Sequence, residues 1–142
     1  MKISARNIFP GKIEAIKPGA VNTEVDLLIA GGQRIVAIVT NDSVKSLGLA
    51  VGKDATAIVK ASSVLILAEG NSIRLSARNS LAGTIAKLTH GPVSAEVSIA
   101  LPGGASVHAT ITNDAAVELG LKEGGSATAI IKASSVILGV QA

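Results

Sequence analysis

Seven polar residues occur twice in the chain at a fixed offset of 72: Ser4, Arg6, Asn7, Thr40, Lys60, Ser62 and Ser63, matched by Ser76, Arg78, Asn79, Thr112, Lys132, Ser134 and Ser135. The set is rich in donors and holds two cations per copy, with no carboxylate, histidine or cysteine. Serine and threonine hydroxyls donate or accept, whereas arginine and lysine only donate. Such a set suits a small anion. One arginine with one lysine balances a dianion, and charge-assisted bonds do the holding. At roughly 1.5–3 kcal/mol per bond, four or five reach about 8 kcal/mol, which is micromolar affinity. The competing reading is a solvated face on which Arg and Lys recur by descent. The residues alone leave both open.

Other chemistries lack their residues. The chain has two histidines, His90 and His108, whose counterparts are Pro18 and Val36, and it has no cysteine, so no repeated metal-ligand set exists. No repeated serine has a repeated histidine to act as its base. No Gly-x-x-x-x-Gly-Lys-Ser/Thr phosphate loop occurs. The expectation is a binding protein and not an enzyme. The repeated carboxylate Glu24/Glu96 reads as solvated or salt-bridged.

Composition narrows the class. The 142 residues are 48% apolar and 16% charged, which excludes a disordered chain. No apolar run approaches the ~18 residues of a membrane span. Ser4, Arg6 and Asn7 fall where a signal peptide needs an unbroken apolar stretch. The expectation is a cytoplasmic protein held by packing alone, with no membrane partner. Phe9 is the only aromatic, whereas single-stranded nucleic-acid binders stack bases on aromatic rings. Residues 1–68 carry eight Lys/Arg against five Asp/Glu, and residues 75–142 carry four of each. A patch serving a long polyanion should not vanish from one copy, so no nucleic-acid partner is expected. So much aliphatic content with so little charge points to an oligomer.

The elements that must position the donors also come twice. Residues 3–68 align with 75–140 without a gap, and 29 of 66 pairs are identical. The expected organisation is one domain over 1–68, a six-residue linker over 69–74 and a second domain over 75–142. In each copy the pattern is mostly strand. Residues 3–8 and 11–16 read as an opening pair, 21–30 alternates with the period of a half-buried strand, and Gly31-Gly32 fits a hairpin turn into 34–40. Asn41, Asp42 or Ser43 caps a helix of about two turns, which Gly52 ends. Residues 55–60 and 64–67 read as two more strands. Gly11/Gly83 and Gly19/Gly91 read as turns, and Leu47, Leu49, Val25, Ile58 and Val64 with their counterparts as core. Such a unit suggests a small all-β Greek-key barrel of the oligonucleotide/oligosaccharide-binding type, two side by side, each with one short helix. That barrel type keeps a nucleic-acid-binding module as the alternative function.

Several segments together resemble the molbindin (Mop, TOBE) domain: Ser-Ala-Arg-Asn opening each copy, the Gly-Gly hairpin, the Thr before the short helix, Leu-Gly-Leu, and the closing Lys-Ala-Ser-Ser-Val. The resemblance covers nearly the whole chain, twice, as in stand-alone two-domain members. It implies a protein that binds molybdate or tungstate for molybdenum storage and homeostasis, has no organic cofactor, and forms a homotrimer with oxyanions at subunit interfaces. The implied oxyanion ligands are Ser4, Arg6, Thr40, Lys60, Ala61 and Ser62, and in the second copy Ser76, Arg78, Thr112, Lys132, Ala133 and Ser134. Ala61 and Ala133 would offer backbone N–H groups. Because such sites lie between chains, one site can mix residues of both copies. Asn7/Asn79 and the turns at 19–21 and 91–93 are the candidates for sites on a three-fold axis. Some relatives carry a basic residue just before Leu-Gly-Leu, where this chain has Ser46 and Glu118. The DNA-binding and transport-ATPase domains fused to this domain elsewhere have no counterpart in these residues, which favours storage. Molybdate is an unprotonated tetrahedral dianion that only accepts, so a cage of donors suits it. Hydrogen phosphate would want an acceptor, and sulfate differs only in size.

Overall fold

The computed structural model describes residues 2–70 and 73–142. Each copy opens with one long strand, β1 (Asn7–Pro18) or β6 (Asn79–His90). The expected opening pair is therefore a single bent element. The bend is a bulge between Ile13 and Ala15, where the Ile13 N–H and C=O bond to Lys53 and Gly52. Then follow β2 (Asn22–Ile29) and β3 (Arg34–Thr40), α1 (Asn41–Leu47) and β4 (Asp54–Val59). The second copy repeats them as β7 (Ser94–Ala100), β8 (Ser106–Thr112), α2 (Asn113–Glu118) and β9 (Ser126–Ile131). Alternation decides the faces: Thr23, Val25, Leu27 and Ile29 are buried, while Glu24, Asp26 and Leu28 lie on the outer face.

Gly11 and Gly83, read as turns, sit inside strands. A Cβ at Gly11 would lie 2.3 Å from the Leu28 carbonyl oxygen, and one at Gly83 2.3 Å from that of Ala100. These glycines let two backbones cross closely. Gly31 and Gly103 have φ of 81° and 91°, and the tips they form touch, since a Cβ on Gly103 would lie 2.3 Å from Gly31 Cα.

The helix caps also differ from the reading. Thr40 Oγ1 accepts from Ser43 N at 3.1 Å, and Thr112 Oγ1 from Ala115 N at 3.1 Å. Asn41 instead ties α1 to the preceding turn: it donates to the Gly19 carbonyl at 3.0 Å and accepts from Thr23 Oγ1 at 2.6 Å. Gly48, with φ of 65°, ends α1 four residues before Gly52. Leu47 is half-buried against the core, but its counterpart Leu119 is 40% exposed, so the core expectation fails there.

The last strands change places. β5 (Val64–Ala68) pairs with β9 of the second copy, and β10 (Ile137–Gly139) pairs with β4 of the first. The result is two curled, antiparallel five-stranded sheets, ordered β10-β4-β1-β2-β3 and β5-β9-β6-β7-β8. The edges of each sheet approach one another, β10 against β3 and β5 against β8. The all-β expectation of two small barrels is met, each barrel being one curled five-stranded sheet. The sheets do not coincide with the sequence copies, because each sheet takes its last strand from the other copy. One apolar core runs through both, from Phe9 and Val25 to Val107 and Leu138.

Among the described residues the chain crosses between sheets in the four residues 60–63 and the five residues 132–136. Both crossings open with Lys-Ala-Ser-Ser, wound as a 3-10 turn over Ala61–Ser63 and Ala133–Ser135. β5 and β6, which flank the expected linker 69–74, belong to one sheet, and residues 71 and 72 lie outside the described ones.

Two buried amides fasten the copies together. Asn7 Nδ2 donates to the His108 carbonyl at 2.8 Å, and its Oδ1 accepts from His108 N at 2.7 Å. Asn79 does the same on β3, donating to the Val36 carbonyl at 2.8 Å and accepting from Val36 N at 2.7 Å. Both asparagines are 1% exposed, so each stands in for a missing ladder strand along an edge that would otherwise hold unpaired backbone groups. Asn7→Ala or Asn79→Ala removes two bonds and strands two backbone groups. Each substitution should lower the unfolding free energy by about 2–4 kcal/mol, read as a drop in urea midpoint with an unchanged slope.

Candidate functional site

The crossings bring most of the repeated donors together. Asn7 pairs with Val59 at the end of the β1–β4 ladder, so Arg6 and Lys60 leave the same end of that ladder. Asn79 pairs with Ile131, which places Arg78 and Lys132 alike. The Asn7 amide then lays the Ser4–Asn7 arm on β8 of the other copy, against which the 61–63 turn also packs. In the second cluster the Ser76–Asn79 arm and the 133–135 turn lie on β3. Each cluster therefore joins arm and crossing of one copy to an edge strand of the other. The mixing of copies arises within one chain.

Thr40 and Thr112 stand at the ends of those edge strands, where they cap α1 and α2. They differ in one bond. Thr40 Oγ1 also donates to Ser43 Oγ at 2.8 Å, whereas position 115, the counterpart of 43, is alanine. Among the described residues neither threonine hydroxyl bonds to an arm or a crossing.

Ser4, Ser76, Ser62, Ser134, Lys60 and Lys132 are exposed, and their side chains carry no hydrogen bond or ion pair among the described residues. Ala61 and Ala133 are buried. In each 3-10 turn the first internal bond is donated by the third residue, Ser63 to Lys60 and Ser135 to Lys132, both at 2.9 Å. The N–H groups of Ala61 and Ser62, like those of Ala133 and Ser134, have no acceptor within the turn. Asn7 and Asn79, candidates for three-fold sites, have their amides committed between the copies.

Sequence reasoning left out the partners of the arginines. Arg6 Nη1 lies 3.4 Å from Glu96 Oε2, and Arg78 Nη1 donates to Glu24 Oε1. The salt-bridged reading of Glu24 and Glu96 holds. These partners lie 90 and 54 residues away in the chain, and only the exchange of copies brings them into reach. Lys17 Nζ stands 3.5 Å from Glu24, and Thr110 Oγ1 donates to Glu96 at 3.1 Å.

His108 lies in this patch, with Nδ1 2.9 Å from Ser98 Oγ. Its pKa falls below 6.5, first through desolvation by burial and then through the Arg6 charge, which Glu96 partly opposes. The folded state therefore binds this proton less readily than the unfolded one. The stabilising contribution is complete above pH 6.5 and is lost as pH falls through the lower folded value. His108→Val, which installs the side chain of Val36, should remove that part of the acid sensitivity. Thermal melts of both proteins between pH 7.5 and 5 check it: wild type should lose more Tm than the variant, and parallel losses would contradict the assignment.

Comparison with known proteins agrees with this architecture. Residues 3–66 and 75–138 each match the TOBE domain. The solved structure of the cytoplasmic molybdate-binding protein ModG, with molybdate bound, is 53% identical, with a TM-score of 0.96 over 99% of this chain and 100% of that one. The molybdenum transport protein ModE of Herbaspirillum seropedicae is 45% identical over 141 residues, 99% of this chain and 52% of ModE. The chain thus spans about half the length of that relative. Molybdenum-pterin-binding protein 2 of Clostridium pasteurianum is 50% identical over 68 residues, its whole length and 48% of this chain. With two matched copies covering nearly all its residues, the chain belongs to the TOBE domain family.

Proposed function

We propose that this protein binds molybdate or tungstate as an intact oxyanion, reversibly, in support of molybdenum storage and homeostasis in the cytoplasm. The observation that carries the reading is the gathering of one arginine, one lysine, serine hydroxyls and two turn N–H groups at each seam between copies. A tetrahedral dianion only accepts, and every group in that set donates. The two cations match its charge. The ligands proposed are Ser4, Arg6, Lys60, Ala61 and Ser62 with Thr112, and Ser76, Arg78, Lys132, Ala133 and Ser134 with Thr40. The names of ModG and ModE support the choice of anion.

The assembly proposed is a homotrimer. Its support is apolar surface on the exchanged strands: Leu65 and Ile137, at equivalent positions, are 64% and 58% exposed. The nucleic-acid alternative loses its last stacking group, because Phe9 is 4% exposed and sits in the core.

Arg6→Ala combined with Arg78→Ala removes one charge-assisted donor from each cluster. Each such bond is worth about 1.5–3 kcal/mol, so molybdate affinity by isothermal titration calorimetry should fall by about 10–100-fold. Both arginines are half-exposed, and Glu24 keeps Lys17 beside it, so the variant should stay folded by circular dichroism. Undiminished binding in the folded variant would contradict the ligand assignment.

A further inference from the structure

We propose that Glu24 and Glu96 are internal competitors of the oxyanion, and that the cluster around Arg6 releases its arginine more readily than the cluster around Arg78. The inference rests on the oxyanion reading above and concerns the regulation of the same sites.

Each glutamate occupies the guanidinium that the anion would use. Charge shows what that does. Arg6 and Lys60 supply two positive charges, and Glu96 cancels one, so a dianion meets a full counter-charge only when the carboxylate has left. Glu24 likewise occupies Arg78 beside Lys132, although there Lys17 adds a third positive charge. A carboxylate and a dianion on one arginine also repel each other in a partly desolvated seam.

The two clusters are not equal. Glu24 is held by Arg78 and faced by Lys17 at 3.5 Å, and its side chain is 15% exposed. Among the described residues the one cation paired with Glu96 is Arg6, at 3.4 Å, and the Glu96 side chain is 41% exposed, so solvent screens that pair more strongly. The counterpart of Lys17 is the neutral Thr89. Glu96 also has another partner, since Thr110 Oγ1 reaches both its oxygens at 3.1 and 3.2 Å. The residue at that position beside Glu24 is Ile38, which offers nothing. Glu96 can thus give up Arg6 and remain hydrogen-bonded at both oxygens, while Glu24, more buried, keeps only the longer Lys17 contact when it gives up its arginine. The threonines point the same way. Thr40 donates its hydroxyl hydrogen to Ser43, whereas Thr112 has no acceptor at Ala115 and keeps that hydrogen for a ligand.

The test is isothermal titration of sodium molybdate into the intact protein, at one pH and ionic strength, for wild type and for Glu24→Gln, Glu96→Gln, Arg6→Ala and Arg78→Ala. Wild type should show a tighter and a weaker class of site. Arg6→Ala should remove the tighter class and Arg78→Ala the weaker. Glu24→Gln should tighten the weaker class about tenfold, bringing the classes together, and Glu96→Gln should tighten the other about threefold. If Glu24→Gln fails to fold, Glu24→Ala makes the same test. Affinity that is unchanged or weakened by removing the carboxylates would overturn the proposal, since the glutamates would then be positioning the arginines. So would loss of the tighter class in Arg78→Ala. No binding by wild type or by any folded variant is a separate result, and it would overturn the oxyanion reading itself.

Discussion

The exchange of final strands is the constraint from which the rest of the structure follows. β4 of the first copy is covered by β10 of the second, and β9 by β5. Neither sheet reaches five strands without the other copy. The chain must therefore cross the seam twice, and it does so both times through Lys-Ala-Ser-Ser. A crossing of four or five residues holds no regular ladder, so its backbone donors and its lysine are left at the seam. The arms that open each copy end there too, because Asn7 and Asn79 fasten them to the opposite edge strand. Polar residues far apart in sequence meet at the seam because that is where both sheets are completed.

The same geometry explains the pattern of identity between copies. Ala-Thr-Ala-Ile and Lys-Ala-Ser-Ser-Val are identical at 55–58 and 60–64 and at 127–130 and 132–136. These segments form the strand before each crossing, the crossing itself and the first residue after it. The strand before each crossing pairs with the strand that follows the other copy's crossing, so both copies must meet the same demand. The outer faces of β2–β3 and β7–β8 carry no such demand and have drifted: Asp26, Val36 and Ile38 stand where the second copy has Ser98, His108 and Thr110. Two clusters built on one plan thereby acquire different neighbours, including the titratable His108.

Much of the fold was legible in the sequence. Alternation over 22–29, the Gly-Gly turn and the short helix are local signals, and each lies where its pattern placed it. The exchange was not legible, because identical segments satisfy local pairing equally well with either partner. Gly11 suggested a turn, but it serves a close crossing of backbones, and both uses select the same residue. Asn41 and Asp42 are good caps by type, yet the extended backbone of Thr40 makes its hydroxyl the one that reaches Ser43 N. The donor set of the candidate site was legible as a chemical class. Its counter-ions were not, since Glu96 lies 90 residues from Arg6 and no periodicity links them.

The central claim is that each chain gathers two oxyanion-binding clusters at its own seams. Native mass spectrometry of the intact protein, titrated with molybdate and separately with sulfate, tests it most directly. The account predicts a homotrimer that retains at least two molybdates per chain and few sulfates. Retention of no molybdate would contradict it.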